Sequence, residues 1–443
     1  MVLDQDTIVA IATPPGKGGV GVIRLSGSRA KDIGEKISGL VLKPRIAMYA
    51  LFKDHEEETI DTGLVLFFSG PKSFTGEDVV ELQGHGGPVI LDMMVRRAIE
   101  LGARPARAGE FSERAFLNDK IDLAQAEAIA DLIDSSTSEA AKGAVRSLQG
   151  EFSNKINELL KELIYLRMYV EAAIDFPDEE IDFLADDKIR NSIEALLISL
   201  KRTIAQAGQG AILRNGLRLV IAGRPNAGKS SLLNALAGQE TAIVTEVAGT
   251  TRDIVNETID IDGLPVHIID TAGLRNSSDR VEKIGIERAR VAIKDADHVL
   301  FLIDASESPL TDVSEFPELE GLSLTKVFNK KDLLDEDFPH SDGIAISAKN
   351  GDGLNQLKDC IKDIVGYSQN SESIFTARRR HISSLSDAMD SVERGLRQLK
   401  EYNAGELLAD ELLQAQNSLN QITGEFSSDD LLGEIFGGFC IGK

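Results

Sequence analysis

The chain has 443 residues, a length that predicts about three domains of roughly 150 residues each. Apolar residues make up 42% and charged residues 27%, as in ordinary globular proteins, and no apolar run approaches the roughly 20 residues of a membrane-spanning helix. The net charge of −24 predicts a surface that repels nucleic-acid phosphates, so any RNA contact is expected to be local or supplied by a partner.

The N-terminus and the cysteine content predict a protein of the cytoplasm. Asp4 and Asp6 stand where a signal or transit peptide would carry basic residues. Only Cys360 and Cys440 occur, too few for a disulfide framework and too far apart for a zinc motif. Cys360 lies in an apolar helical pattern and is expected to pack in a core.

The hydrophobic pattern predicts four segments. Residues 1–118 mix short apolar runs with glycine-rich turns and predict an α+β domain. Residues 119–215 carry apolar side chains three and four positions apart and predict helices, which Pro177 interrupts. Residues 216–370 alternate strand-like and helical runs and predict a doubly wound α/β domain. Residues 371–443 are again helical, so the α/β domain is expected to be inserted between two helical parts.

A phosphate-binding loop begins the α/β segment, with the pattern G-x-x-x-x-G-K-S from Gly223 to Ser230. It follows an apolar strand and precedes an amphipathic run, the context that this motif requires. Backbone N–H groups would hold the phosphates, Lys229 would reach the β- and γ-phosphates, and Ser230 would bind Mg²⁺. The predicted nucleotide contacts in this loop are Asn226, Ala227, Gly228, Lys229, Ser230 and Ser231.

Three further motifs follow in the order typical of guanine-nucleotide-binding domains. A D-x-x-G motif, expected to meet Mg²⁺ through water and to meet the γ-phosphate, comprises Asp270, Thr271, Ala272 and Gly273. An N-K-x-D motif comprises Asn329, Lys330 and Asp332, and a base-side loop comprises Ser347, Ala348 and Lys349. The carboxylate of Asp332 can accept from two N–H donors of guanine that adenine lacks, so the chain is predicted to bind and hydrolyse GTP.

The residues that would drive hydrolysis are less usual. Leu274 stands where many GTPases carry a water-orienting glutamine, and leucine cannot orient water. Glu282 is our candidate for orienting the water indirectly, with a solvated helix carboxylate as the alternative interpretation. Thr251 is expected to complete the Mg²⁺ shell.

A K⁺ ion is expected to replace the arginine finger. The predicted K⁺ ligands are Asn226, Thr250 and the backbone carbonyls of Thr245 and Val247. Nucleotide and metal contacts are predicted throughout Thr245, Glu246, Val247, Ala248, Gly249, Thr250 and Thr251.

Five further motifs lie outside the α/β segment: A-T-P-P-G-K-G-G-V-G at 12–21, S-F-T-G-E-D at 73–78, L-Q-G-H-G-G at 82–87, G-E-F-S-E-R-A-F-L-N at 109–118 and F-C-I-G-K at 439–443. With them the whole chain resembles the bacterial tRNA modification GTPase MnmE (TrmE) family. Generic GTPases lack these motifs. The resemblance implies an N-terminal folate-binding domain that also dimerises, followed by a helical domain carrying an inserted Ras-like G domain.

The resemblance also implies a reaction and partners. A homodimer would work with the flavoprotein MnmG (GidA) in a heterotetramer, adding an aminomethyl or carboxymethylaminomethyl group to C5 of the wobble uridine of certain tRNAs. The cofactors implied are GTP, Mg²⁺, K⁺ and 5-formyl- or 5,10-methylene-tetrahydrofolate. Because Arg378, Arg379, Arg380 and His381 form the one basic cluster in this acidic sequence, the partner is expected to carry most of the tRNA contact.

By position in the motifs, Arg24, Glu81, Lys120 and Lys443 match the family's folate contacts. The cations suit a glutamate tail or ring carbonyl, and Glu81 suits pterin N–H donors; a surface salt bridge is the alternative for each. Cys440 is a candidate nucleophile or acid/base group, or else an inert thiol. His85 is expected to be hydrogen-bonded structurally rather than to transfer protons.

A second hypothesis stays open from the sequence alone. The chain would then be a regulatory switch GTPase, like those of ribosome assembly, whose N-terminal domain only docks a partner.

Overall fold

The computed structural model describes residues 6–175, 187–238, 256–270, 296–307, 311–316, 319–334, 342–367, 375–425, 429–440 and 442. They divide into two compact units. The first unit comprises Met1–Ala130 with Leu419–Lys443, and the second comprises Asp131–Ser418. No helix within the described ranges has both the length and the apolar character to cross a membrane.

The first unit contains a six-stranded sheet. Its strands are β1 (Ile8–Ile11), β2 (Gly18–Ser26), β3 (Met48–Lys53), β4 (Thr59–Phe68), β5 (Val79–Gly86) and β6 (Arg104–Pro105). They lie in the order β3-β4-β5-β2-β1-β6, antiparallel except where β6 runs parallel to β1. The helices in this segment are α1 (Ala30–Ser38), α2 (Pro88–Glu100) and α3 (Glu110–Leu117).

The two faces of this sheet differ because side chains alternate along each strand. On one face Ile23 and Leu82 pack with Ile33 of α1 and Met94 of α2 in a buried core. The opposite face carries Ala10 and its cross-strand neighbours, and there α3 contributes Phe111 to a smaller buried cluster. The α+β prediction for the N-terminal segment is confirmed.

Four helices follow: α4 (Leu123–Asp134), α5 (Ser138–Leu148), α6 (Glu151–Asp175) and α7 (Asp187–Asn215). Leucine and isoleucine side chains at helical spacing, such as Ile156, Leu159 and Leu163 in α6, are buried. Helix α6 is described as far as Asp175, and Pro177, which is predicted to interrupt the helices, lies outside the described residues.

The second sheet comprises β7 (Leu217–Ala222), β8 (Asn256–Ile261), β9 (Leu264–Asp270), β10 (His298–Asp304), β11 (Leu324–Asn329) and β12 (Gly343–Ala345). The strand order is β12-β11-β10-β7-β9-β8, parallel except for the antiparallel hairpin of β8 and β9. Helices α8 (Lys229–Ala237) and α9 (Leu354–Ile364) belong to the same segment, called the α/β part below. Strand β10 is buried along its whole length and β7 at all but one position, as in other parallel sheets, whereas β11 and β12 are only partly buried.

The chain then returns to helices α10 (Arg379–Tyr402), α11 (Gly405–Thr423) and α12 (Asp429–Gly437). The single predicted helical stretch is divided at Asn403, whose φ of +49° ends α10. Helix α10 packs against α7 in the second unit, where α5, α6, α7, α10 and the neighbouring ends of α4 and α11 are called the helical part. Helix α12 packs against α3 in the first unit.

Candidate nucleotide-binding site

The phosphate-binding loop lies between β7 and α8, at the point where the strand order reverses. From β7 the chain adds β8 and β9 on one side and β10 to β12 on the other. A crevice forms at such a reversal, outside the carboxyl ends of the strands, and it is the usual ligand site of open α/β sheets. The sequence-predicted loop is therefore in the expected position.

Gly228 and Lys229 give this loop its shape. Gly228 has φ +98°, and a Cβ at this position would lie 2.2 Å from Nδ2 of Asn329. The Lys229 ammonium donates to the carbonyl oxygens of Gly223 at 2.7 Å and Arg224 at 3.0 Å. Ser230 is exposed at the N-terminus of α8, where a hydroxyl can meet a ligand. This arrangement fits a phosphate group and its Mg²⁺.

Asn329 connects this loop to the base-side loop. Its side chain is buried, donates from Nδ2 to the carbonyl of Ala227 at 2.9 Å and accepts at Oδ1 from the N–H of Ala348 at 3.0 Å. One amide thus fixes the distance between two loops that are far apart in sequence.

The base-side loop holds Asp332 in an orientation suited to a base. Ser347, which is fully buried, donates from Oγ to Oδ1 of Asp332 at 2.6 Å, while Asp332 itself is exposed. The other carboxylate oxygen can then accept from a ligand. Ala348 N is engaged by Asn329, and Lys349 is exposed beside it.

Lys330 adopts φ +67° and its ammonium contacts Oδ2 of Asp304 at 2.5 Å. Burial raises the pKa of the Asp304 carboxyl, but the hydrogen bonds from Lys330 and Ser306 outweigh burial and leave this pKa below its ordinary value. The Asp304 carboxylate therefore stays charged and fixes the position of the Lys330 ammonium.

Several predicted residues lie outside the described ranges. Asp270 ends β9 opposite Ile221 of β7, so the backbone of the D-x-x-G motif starts beside the phosphate loop, but its side chain is not described. Outside the described residues are Thr245, Glu246, Val247, Ala248, Gly249, Thr250, Thr251, Thr271, Ala272, Gly273, Leu274, Glu282 and Lys443. Their roles stay predictions, as do those of Asn226 and Ser231, which are exposed in the loop and in α8.

Sequence analysis missed the pairing of Arg224. This arginine, inside the phosphate loop, forms a bidentate ion pair with Glu315, with N–O distances of 2.6–3.0 Å. Because Glu315 is 91 positions away, no local signal could have predicted the pair.

In the first unit, Arg24 and Glu81 face each other across β2 and β5. Arg24 donates from Nε and Nη2 to Oε1 of Glu81 at 3.0 and 2.9 Å, and its guanidinium carbon lies 5.8 Å from the ring centres of Phe74 and Phe111. The second oxygen of Glu81 has only a 3.5 Å contact from Gln83, so it keeps capacity for a ligand. Neither aromatic neighbour was singled out from the sequence.

The other motif residues of this unit lie close in the fold though distant in sequence. Gly442 packs on the end of β1, where a Cβ would lie 2.3 Å from the carbonyl oxygen of Ile11. The N–H of Gly109 donates to the carbonyl of Cys440 at 3.4 Å, and Cys440 is exposed. Lys120 is exposed and donates to the carbonyl of Pro71 at 2.8 Å.

The expectations for Cys360, His85 and the basic cluster can also be compared with the structure. Cys360 is half-buried against the core of the α/β part, which confirms the prediction for it. The ring of His85 is hydrogen-bonded through Nδ1 to Asp61 at 2.7 Å. In the basic cluster, Arg378 is paired with Asp131 and His381 is buried against Phe152, so both ends of the cluster have partners within the fold. That a partner carries most of the tRNA contact stays a prediction.

A Walker-type loop at the reversal point, joined through a buried asparagine to an exposed aspartate, defines a P-loop domain with the features of a guanine-nucleotide-binding protein. Two family models match: "MnmE helical domain" over residues 123–440 and "GTP-binding protein TrmE N-terminus" over residues 7–120. The chain belongs to the tRNA modification GTPase MnmE family.

Curated relatives with this family name match the chain over almost its full length. The tRNA modification GTPase MnmE of Photobacterium profundum is 56% identical over 99% of both chains, and that of Vibrio cholerae serotype O1 (strain ATCC 39315) is 56% identical over 100% of both. Among solved structures, a variant of Aquifex aeolicus Era bound to GDP.AlF4- is 25% identical and covers 39% of this chain and 66% of its own, with a TM-score of 0.27. The G domain of T. maritima FeoB is 25% identical and covers 33% and 98%, with a TM-score of 0.27.

Proposed function

We propose that this GTPase, which acts in tRNA modification, works with a flavoprotein of the MnmG (GidA) type to add an aminomethyl or carboxymethylaminomethyl group to C5 of the wobble uridine. Tetrahydrofolate, bound in the first unit, supplies the one-carbon unit. The chain acts as a homodimer and forms a heterotetramer with the flavoprotein.

One observation carries the proposal: motif residues with no role in nucleotide binding meet in the first unit. Gly442 lies on Ile11, and Gly109 would bring a Cβ to 2.5 Å from the carbonyl of Phe436. Asn118 donates to the carbonyl of Thr75 at 2.7 Å. In a regulatory switch protein whose N-terminal domain only docks a partner, these motifs would not need to meet in the unit that holds the Arg24–Glu81 ion pair and its two aromatic neighbours.

The site residues fit folate chemistry in a simple way. Arg24 is flanked by Phe74, which is 37% exposed and offers a flat face to a pterin, and by buried Phe111. Glu81 accepts from N–H donors through its second oxygen, while Arg24, Lys120 and Lys443 bind carbonyl or carboxylate oxygens. Cys440 is the candidate reactive group.

Mass spectrometry of wobble uridines from a deletion strain tests the proposal. We expect the C5 substituent to disappear in the deletion strain, to return with the parent gene, and not to return with Glu81→Ala. The regulatory alternative predicts unchanged modification in the deletion strain, and that result would refute the proposal. Calorimetry with 5-formyltetrahydrofolate gives a second readout, in which Glu81→Ala weakens binding.

Potassium is the second part of the proposal. Asn226 is exposed within the phosphate loop with φ +63°, a position from which its amide oxygen can reach an ion beside the phosphates. We expect GTP turnover to be at least about tenfold faster in K⁺ than in Na⁺, since the ion takes the place of an arginine finger. Asn226→Ala should abolish this preference, and equal turnover of the parent in both salts would exclude it.

A further inference from the structure

Asp131 ties together the two places where the chain passes between the helical part and the α/β part. Arg214 lies in the last turn of α7, just before β7, and Arg378 precedes α10, just after the α/β part. Arg214 Nε and Arg378 Nη2 donate to the same oxygen, Oδ1 of Asp131, at 2.7 and 2.8 Å. The entry and exit of the α/β part are therefore held by one carboxylate.

The environment of Asp131 makes these contacts strong. Its side chain is only 5% exposed, and those of Arg214 and Arg378 are 33% and 19% exposed. Charge-assisted hydrogen bonds in such a place are stronger than those at the surface, and a buried carboxylate that loses its partners is costly. Movement of β7 relative to α10 requires one of the two contacts to break.

A second contact links the nucleotide segments to the same region. The turn between β8 and β9 contains Gly263, whose carbonyl accepts from Oγ1 of Thr137 at 3.0 Å. Thr137 is buried, and the same hydroxyl caps α5 by accepting from the N–H of Ala140 at 3.2 Å. Strand β8 follows the predicted metal-binding segment 245–251, and β9 ends at Asp270 of the D-x-x-G motif. The two segments predicted to sense the γ-phosphate thus adjoin a hairpin whose turn contacts the cap of α5, six residues after Asp131.

A cleft next to Asp131 gives its partners room to rearrange. It has a volume of about 230 Å³. Its lining residues are Asp131, Asp134, Ser135, Ala140, Arg214, Asn215 and Thr376. Protein interiors are otherwise close-packed, so a side chain can change position here without displacing a core.

We propose that Asp131 is a positioning residue that couples the nucleotide state of the α/β part to the helical part, by holding Arg214 and Arg378 in one arrangement and releasing one of them in another. This inference rests on the proposed function only where modification is the readout. Asp131 does not take part in nucleotide binding, so its loss should uncouple two activities rather than remove either site.

The experiment compares Asp131→Asn with Asp134→Asn, the same exchange at an exposed position one turn along α4. For the full chain with its flavoprotein partner, we expect Asp131→Asn to keep GDP affinity and GTP turnover within about threefold of the parent. Modified uridine formed per GTP hydrolysed should fall at least tenfold. Asp131→Glu should recover most of the loss because it keeps the charge, and Asp134→Asn should behave as the parent.

Hydrogen exchange on the chain alone provides a readout that needs no tRNA. In the parent, amide exchange at the start of α5 should differ between the GDP and the GDP–aluminium fluoride states, and Asp131→Asn should remove this difference. Arg214→Lys serves as the second variant if Asp131→Asn does not fold. An unchanged ratio of modification to GTP turnover, an equal loss of both activities, or an unchanged exchange difference would overturn the inference. Absence of modification by the parent would instead contradict the proposed function.

Discussion

Asn329 shows how much a single side chain can organise in this protein. Both of its amide atoms are used, one on each of two loops that must hold opposite ends of the nucleotide. The sequence motif predicts that an asparagine is needed before the base-reading aspartate, but its bond to Ala227 spans 102 positions and was not predictable. Asn329 therefore joins the phosphate loop to the base-side loop, a role that the sequence motif did not predict.

Asn329→Ala should weaken both folding and nucleotide binding. The change leaves the carbonyl of Ala227 and the N–H of Ala348 without this partner, at a cost of about 1–3 kcal/mol for such a buried group. We expect GDP affinity, measured by calorimetry, to fall about tenfold or more, since 1.4 kcal/mol corresponds to a factor of about ten. Asn350→Ala is the matched control, because its exposed side chain lies in the same loop. Equal affinities for the two variants would contradict the prediction.

At the scale of elements, α3 is held by a network of charges as well as by its buried apolar side chains Phe111 and Ala115. Glu110 is 2% exposed and accepts from Arg104, from Arg114 and from the N–H of Arg107, the last at 2.7 Å. Arg114 also pairs with Asp6 and Glu77. Burial raises the pKa of the Glu110 carboxyl, but these hydrogen bonds outweigh burial and lower its pKa to about 2.

The Glu110 carboxyl has a lower pKa in the folded protein than in the unfolded chain, where the pKa is about 4.3. Its charged form therefore stabilises the fold above about pH 4.3, and this stabilisation is lost as the pH falls towards about 2. Glu110→Gln should therefore lower the free energy of unfolding by about 2–3 kcal/mol at pH 7. The difference from the parent should shrink as the pH falls from about 5 to 2. Urea unfolding of both proteins across this range measures it.

The control for this pH series is Glu100→Gln, which removes an exposed ion pair with Arg97 on α2. Its effect should stay within about 0.5 kcal/mol at every pH. A Glu110→Gln defect that is constant from pH 7 to pH 3 would show that packing, not charge, accounts for the loss.

The C-terminal tail is an element whose position depends on one residue. Gly442 has φ +97°, and a Cβ there would approach the carbonyl of Ile11 to 2.3 Å. Gly442→Ala should displace the tail and lower wobble-uridine modification at least tenfold, while GTP turnover stays at the parent level because the nucleotide site is in the other unit. Gly433→Ala, in α12 with open space at its Cβ, is the matched control. Mass spectrometry and a phosphate-release assay measure the two activities.

The strands that frame the nucleotide site were predictable, and some other elements were not. The apolar run Leu217–Ala222 coincides with the observed strand β7, because buried parallel strands are continuous in hydrophobicity. The hairpin of β8 and β9 was missed, although Asp262-Gly263 between alternating side chains is a known hairpin signal. Polar residues such as Glu81 and Thr258 interrupt the apolar pattern along some strands. Strands whose sheets are half exposed are therefore harder to predict from the sequence.

For the molecule as a whole, sequence pattern predicted the order of the parts, and motif resemblance predicted the candidate sites. Long-range pairs stayed hidden. The partners of Asp131 lie 83 and 247 positions away, and Arg24 pairs with a residue 57 positions distant. Local periodicity reports which face of an element is buried, but it does not report which distant charge will neutralise a buried carboxylate.

The overall charge leads to a prediction about RNA. With a net charge of −24 and with Arg378 and His381 occupied inside the fold, the chain has little to offer a phosphate backbone. At about 0.15 M salt, fluorescence anisotropy should show tRNA binding to the chain alone at least tenfold weaker than to the chain with the proposed flavoprotein partner. Equal binding in both cases would contradict a partner-borne tRNA site.

The contact of Gly442 with Ile11 also has a consequence for biosynthesis. β1 leaves the ribosome early, whereas the tail that covers its end is translated only after the entire second unit. The tail can therefore pack onto the first unit only after most of the chain has been translated. Premature termination downstream of the second unit would leave a chain that still folds a nucleotide site but lacks the glycine that packs on the end of β1.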